Sequence, residues 1–162
     1  MGETIFHPKP PTPSGHPGID FQWNERTPII ASSDGIIINI NHGSSHGIDV
    51  IIRESVYELR YKELDESSLG ENIKINHNVK RGDFIGFPGG IPGGDGKLHY
   101  QLHWEFASSS PAEDRFCPMT YFYPESRERI QNIWDNVSLE AYQGLKKRFP
   151  YICSGDYYGK DE

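Results

Sequence analysis

The sequence predicts a mainly antiparallel β-sheet or sandwich followed by a C-terminal α-helical extension, on three observations. Seventeen Gly and 12 Pro make up 29 of the 162 residues, a density of turn formers that leaves little room for long helices. Between Thr27 and Phe106 the chain breaks into short apolar or alternating segments bounded by turn residues, as consecutive antiparallel strands do. After Pro111 the composition shifts, and apolar residues recur at helical spacing. On this reading residues 1–14 are an extended lead-in, 15–110 a β domain and 111–162 a helical extension packed on it.

The lead-in holds His7 and four prolines (Pro8, Pro10, Pro11, Pro13), so an extended segment is expected there rather than an element. Thr27–Ala31 and Ile36–Ile40 flank Ser33-Asp34-Gly35, an Asp-Gly turn of hairpin type. Ile48–Arg53 and Val56–Lys62 are separated by Glu54-Ser55, a second tight connection. Asn72–Ile75 alternates, and Asp83–Phe87 follows the turn at Arg81-Gly82. Leu98–Phe106 alternates cleanly. It sets Leu98, Tyr100, Leu102, Trp104 and Phe106 on one face and His99, Gln101, His103 and Glu105 on the other. Residues 88–96 read as a glycine-rich loop, in which Gly93 and Gly94 permit close backbone approach. No Lys-Ser/Thr follows as a phosphate loop demands, so the loop is read as a wall of a substrate groove. Pro124 starts a helix carrying Ile130, Ile133, Trp134 and Val137, and Ser138 caps a second carrying Leu139, Tyr142, Leu145 and Phe149. These stripes are core contacts.

Composition excludes several function classes. A formal charge of −7 and a pI near 5.5 argue against a nucleic-acid binder, which needs a basic footprint. No run approaches the ~18 apolar residues of a membrane-spanning helix. Twenty aromatic residues are too many for a solvated, unfolded chain. Cys117 and Cys153 cannot make a Cys-based zinc site. They form either a single bridge, as in an exported protein, or two buried thiols. Met1-Gly2-Glu3-Thr4 lacks the basic and apolar regions of a signal peptide.

Two histidine settings point to chemistry. In Gly15-His16-Pro17-Gly18-Ile19-Asp20-Phe21, a Pro-Gly turn lets His16 and Asp20 converge, and imidazole with carboxylate is a zinc-type ligand pair. On the strand at Leu98–Phe106, same-face residues two apart lie roughly 6.5–7 Å from each other and four apart roughly 13 Å. His99 and His103 therefore cannot share one metal. His16, Asp20 and His103 together supply two imidazoles and one carboxylate, leaving a position for water, the layout of a catalytic zinc site. Glu105, two residues from His103 on the same face, is placed to orient its imidazole.

In these segments the sequence resembles the lysostaphin-type (LytM-like) zinc endopeptidases of bacterial cell walls. Gly15–Phe21 resembles their H-x-x-x-D segment, and Thr27–Gly35 the strand and turn after it. Val79-Lys-Arg-Gly-Asp-Phe-Ile-Gly86 is similar to their V-x-x-G-x-x-I-G turn, and Gln101–Phe106 to their H-x-H-F-E strand. The resemblance spans about residues 5–107. It implies that fold, one Zn2+ held by His16, Asp20 and His103, a peptidoglycan peptide as substrate and a workplace outside the cytoplasm.

The resemblance also marks two departures. Family members carry two helper histidines, and here Gln101 stands in place of the first His of H-x-H. Glu63 replaces the other, in Tyr61-Lys62-Glu63-Leu64. In the enzyme reading Glu63 is the general base and Gln101 donates to the oxyanion. His99 reaches in if the strand bulges, and Tyr61 lines the groove. In the binding-module reading the domain is a weakened relative that holds peptidoglycan or a protein partner. Turnover separates the two.

Overall fold

The computed structural model describes residues 4–5, 18–44, 46–92, 96–109, 115–136 and 152. Among the described residues eleven strands and one α-helix occur in order. β1 (Thr4–Ile5), β2 (Ile19–Trp23), β3 (Ile29–Ile30), β4 (Gly35–Ser44), β5 (Gly47–Glu54) and β6 (Tyr57–Leu64) come first. β7 (Asn78–Val79), β8 (Phe84–Gly86), β9 (Gly89–Pro92), β10 (Leu98–Ser108), β11 (Arg115–Phe116) and α1 (Pro124–Asp135) follow. Nine strands form one sheet in the order β1-β2-β10-β6-β5-β4-β7, with β9 and β11 also on β10, and β3 pairs with β8 in a second. Every pairing is antiparallel.

The longest strand organises the sheet. Along one edge of β10, β9 pairs with residues 98–101 and β6 with 103–108. Along the other, β2 pairs with 100–104 and β11 with 106–107. Its alternation sends Leu102, Trp104 and Phe106 into a core with Val50, Ile52, Leu59 and Tyr61, closed by Ile29 and Ile85 of the small sheet. A second cluster joins Ile19 of β2 to Cys117, Ile130, Trp134 and Ile152. The helix thus packs on the residue that precedes Asp20. Cys117 is disulfide-bonded, and Cys153, the chain's other cysteine, lies outside the described residues.

Several expectations are corrected. Thr4 and Ile5, expected in an element-free lead-in, pair with Phe21 and Asp20. Ser33-Asp34-Gly35 makes no hairpin: β3 pairs with β8, and β4 with β5 and β7. The Asp34 carboxylate instead accepts from the Arg81 N–H and the Lys80 ammonium, at 2.9 Å each. Gly35 is needed for close packing, since a Cβ there would lie 2.5 Å from the Ile52 side chain and 2.6 Å from the Arg53 carbonyl oxygen. Asn72–Ile75 forms turns rather than a strand, with Ile73 the only one of the four residues that is buried. Part of the glycine-rich segment is strand, as β9. The sheet takes in β11, past the composition shift at Pro111. The helix expected from Ser138 onward lies outside the described residues.

Candidate active site

The polar face of β10 meets its neighbours in strict register. Asp20 is the cross-strand partner of His103, and Gln22 of Gln101. On the other side Lys62 pairs with His103 and Arg60 with Glu105. Period-two alternation therefore puts Asp20, Gln22, Gln101, His103, Glu105, Arg60 and Lys62 on one face, opposite the aromatic core.

Asp20 and His103 form the centre of this face. Asp20 Oδ1 lies 2.6 Å from His103 Nδ1, and His103 Nε2 lies 3.1 Å from Glu105 Oε1. Both side chains of the first pair are buried, and Glu105 is 0% exposed. Burial opposes a charged imidazole. The hydrogen bonds and charges of Asp20 and Glu105 outweigh it and push the His103 pKa up to about 9. The Glu105 carboxylate is itself balanced by Lys62 Nζ at 3.0 Å and Arg60 Nη1 at 3.8 Å.

Asp20 and His103 are two donors of the types that a metal site uses. A carboxylate and an imidazole ring nitrogen converge in a buried spot, while a second carboxylate holds the other ring nitrogen and fixes the ring. Among the described residues no third His, Cys, Asp or Glu joins them in a metal-holding group. His16, the other expected ligand, lies outside the described residues, as do Gly93 and Gly94.

Gly18 supplies the close approach. A Cβ there would stand 2.4 Å from the Trp104 carbonyl oxygen and 2.9 Å from His103 Nε2. Gly18→Ala is therefore expected to displace His103 or the β10 backbone. Overpacking of this kind costs about 1–3 kcal/mol. Urea denaturation of the variant checks this, and unchanged stability would show that the crowding is relieved without cost.

A second pair of groups lies on the same face. Gln101 Nε2 donates to Glu63 Oε2 at 2.8 Å, and Gln22 Nε2 donates to Gln101 Oε1. Alternation from Tyr61 would send Glu63 to the core. Two steps along β5 (Ile48 to Val50) answer three along β6 (Leu64 to Tyr61), which is a β-bulge. Glu63 has φ 68°, and this left-handed turn re-aims its carboxylate to the polar face while returning Leu64 to the core. Asp49, buried on β5, accepts from the Glu63 N–H at 3.3 Å. Burial raises the Asp49 carboxyl above its usual range, against the lowering effects of the Lys62 charge and that N–H.

The other expected residues fall elsewhere. β10 pairs without a register shift through Leu98–Trp104, so His99 keeps its place on the polar face two residues from Gln101. Tyr61, expected along the groove, is 2% exposed on the opposite face. Its hydroxyl accepts the Ser32 N–H at 2.8 Å and meets Ser32 Oγ at 2.7 Å. There it lines an apolar hollow of about 330 Å3 between the sheet and α1. Gln22, Lys62 and Asp49 were not anticipated. Alternation from Asp20 marks the face of Gln22, but neither its partner nor the bulge that gathers Lys62, Glu63 and Asp49 is legible locally.

Comparison with known proteins bears on this geometry. Residues 14–112 match peptidase family M23. The glycyl-glycine endopeptidase ALE-1 of Staphylococcus capitis is 31% identical over 103 residues, 61% of this chain and 27% of that protein. Lysostaphin of Staphylococcus staphylolyticus is 32% identical over 103 residues, 61% of this chain and 21% of that protein. The chain thus spans about a quarter of the length of these relatives. Among solved structures, the catalytic domain of the prophage-encoded M23 protein EnpA from Enterococcus faecalis, crystallised as a point mutant, superposes with a TM-score of 0.56 at 25% identity. That match covers 75% of this chain and 92% of that one. With the match extending over more than half of its length, from before the Asp20 strand to beyond the His103 strand, the chain belongs to peptidase family M23.

Proposed function

We propose that the chain is a zinc-dependent endopeptidase that hydrolyses peptide bonds in bacterial peptidoglycan outside the cytoplasm. The observation that carries this reading is the convergence of two pairs on one sheet face: Asp20 with His103, and Glu63 with Gln101. His16, Asp20 and His103 would hold the metal. Bound there, zinc would supply Lewis acidity toward the scissile carbonyl and lower the pKa of water.

The chain's own residues supply the rest. Glu63 takes the proton of the attacking water and returns it to the leaving amine, as a carboxylate positioned by Gln101 can. One Gln101 N–H is spent on Glu63, and the second has no partner among the described residues. It donates to the carbonyl oxygen as negative charge develops there. Glu105 keeps the His103 ring oriented, and Lys62 and Arg60 balance the charge of Glu105. His99 lines the end of the site beside β9. A glycine-rich segment at that end suits a peptide of small residues, the class named for the relative that cuts glycyl-glycine bonds.

Incubation of zinc-loaded protein with purified sacculi tests this. Muropeptides released with zinc, and not after chelation, are expected by mass spectrometry. Tight sedimentation onto sacculi without release would replace the enzyme by a binding module, and neither outcome would direct the search to a protein partner.

A further inference from the structure

We propose that Gln22 is a positioning residue that sets which way the Gln101 amide faces, an assignment that rests on the hydrolase reading above. A glutamine amide can flip, exchanging a donor for an acceptor at nearly the same position. Gln101 is useful as an oxyanion donor only when its NH2 group faces the catalytic centre. Glu63 only accepts and so favours the NH2 group on its side, but a long side chain held by one hydrogen bond still rotates away from it.

The cross-strand pair closes the question. Gln22 is the register partner of Gln101, and Gln22 Nε2 donates to Gln101 Oε1. Gln101 Nε2 in turn donates to Glu63 Oε2 at 2.8 Å. The relay therefore runs in one direction, from β2 through β10 to the bulge of β6. With its oxygen held by Gln22, the Gln101 nitrogen must lie on the Glu63 side, with one N–H left for substrate. Reversing the amide would set a Gln101 oxygen against a Glu63 oxygen and a Gln101 nitrogen against the Gln22 nitrogen, so Gln101 can turn only by giving up Glu63 while Gln22 turns its own amide with it. Gln22 is half-buried, which limits competition from water. Asp20 two residues earlier is its same-face neighbour, so one strand presents both the metal carboxylate and the amide that orients the donor.

Three variants test the relay: Gln22→Leu, Gln22→Glu and the double change Gln22→Glu with Glu63→Gln. The Gln101 side-chain amide is followed in 1H–15N spectra, with its signal identified by its disappearance in Gln101→Leu. In the wild type its two protons are expected to be well separated and protected from exchange. Gln22→Leu frees the oxygen, so the signals move toward those of an exposed glutamine and kcat falls about tenfold with KM little changed, the scale of one hydrogen bond. Gln22→Glu offers only acceptors to Gln101 and is expected to lower kcat further than Gln22→Leu. The double variant rebuilds the relay in the opposite direction, restoring the ordered amide signal without restoring turnover. Unchanged Gln101 signals in Gln22→Leu, or equal kcat in the Leu and Glu variants, overturns the assignment. If the wild type releases nothing from sacculi the hydrolase reading fails, while the spectra still decide whether Gln22 orders Gln101.

Discussion

His103→Ala is expected to abolish zinc-dependent release of muropeptides from sacculi. The substitution removes the ring nitrogen that faces Asp20 at 2.6 Å. On the proposed reading it would also remove a ligand of the metal, whose charge stabilisation would be worth several kcal/mol, roughly a thousandfold in rate or more. Stability falls too. Asp20 and Glu105 are buried, and without the imidazole Asp20 loses its 2.6 Å partner while Glu105 keeps Lys62 and Arg60. Breaking one side of a buried charge pair costs about 3–5 kcal/mol, a figure to be taken as an upper bound here because Glu105 stays compensated. Zinc stoichiometry, urea denaturation and muropeptide release should fall together. Hydrolysis retained at the wild-type rate would move the metal elsewhere.

Glu63→Gln separates the enzyme from the binding module. The replacement has nearly the same shape, and its side-chain oxygen still accepts from Gln101, so the bulge and the amide relay survive. What it loses is the capacity to take a proton. A positioned general base contributes about 10²–10⁴-fold, so kcat is expected to drop by that factor with KM and zinc content close to wild type. Rate constants on a defined peptide, with zinc measured on the same samples, provide the check. Unchanged hydrolysis would exclude Glu63 as the base.

Much of this site is legible in the chain because strands write their faces into the sequence every second residue. Leu98–Phe106 separates its aromatic and aliphatic side from Gln101, His103 and Glu105 without any structural knowledge, and β10 realises that division. The ligand segment around Asp20 and the His103 strand are likewise visible as residue types at readable spacing. Tyr61 shows where this fails. The sequence reading set Tyr61 along the groove, but a bulge separates it from Glu63, and Tyr61 lies in the core with its hydroxyl on Ser32. Gly35 shows the converse error: Asp-Gly is a turn signal, yet here the glycine answers a crowding by Ile52 and Arg53 that no local window contains.

The sequence by itself determined the antiparallel β class, the helix beginning at Pro124, the acidic character of the chain and the face of His103 on its strand. Each rests on local periodicity, capping or net charge, which are properties of neighbouring residues. Only the tertiary structure decided that β2 and β6 flank β10 in a register that sets Asp20 against His103 and Gln22 against Gln101. It alone decided that a left-handed Glu63 turns its carboxylate into the same face. Register and backbone hand depend on pairings between residues 38 to 83 positions apart, which long-range packing selects and local propensity does not encode.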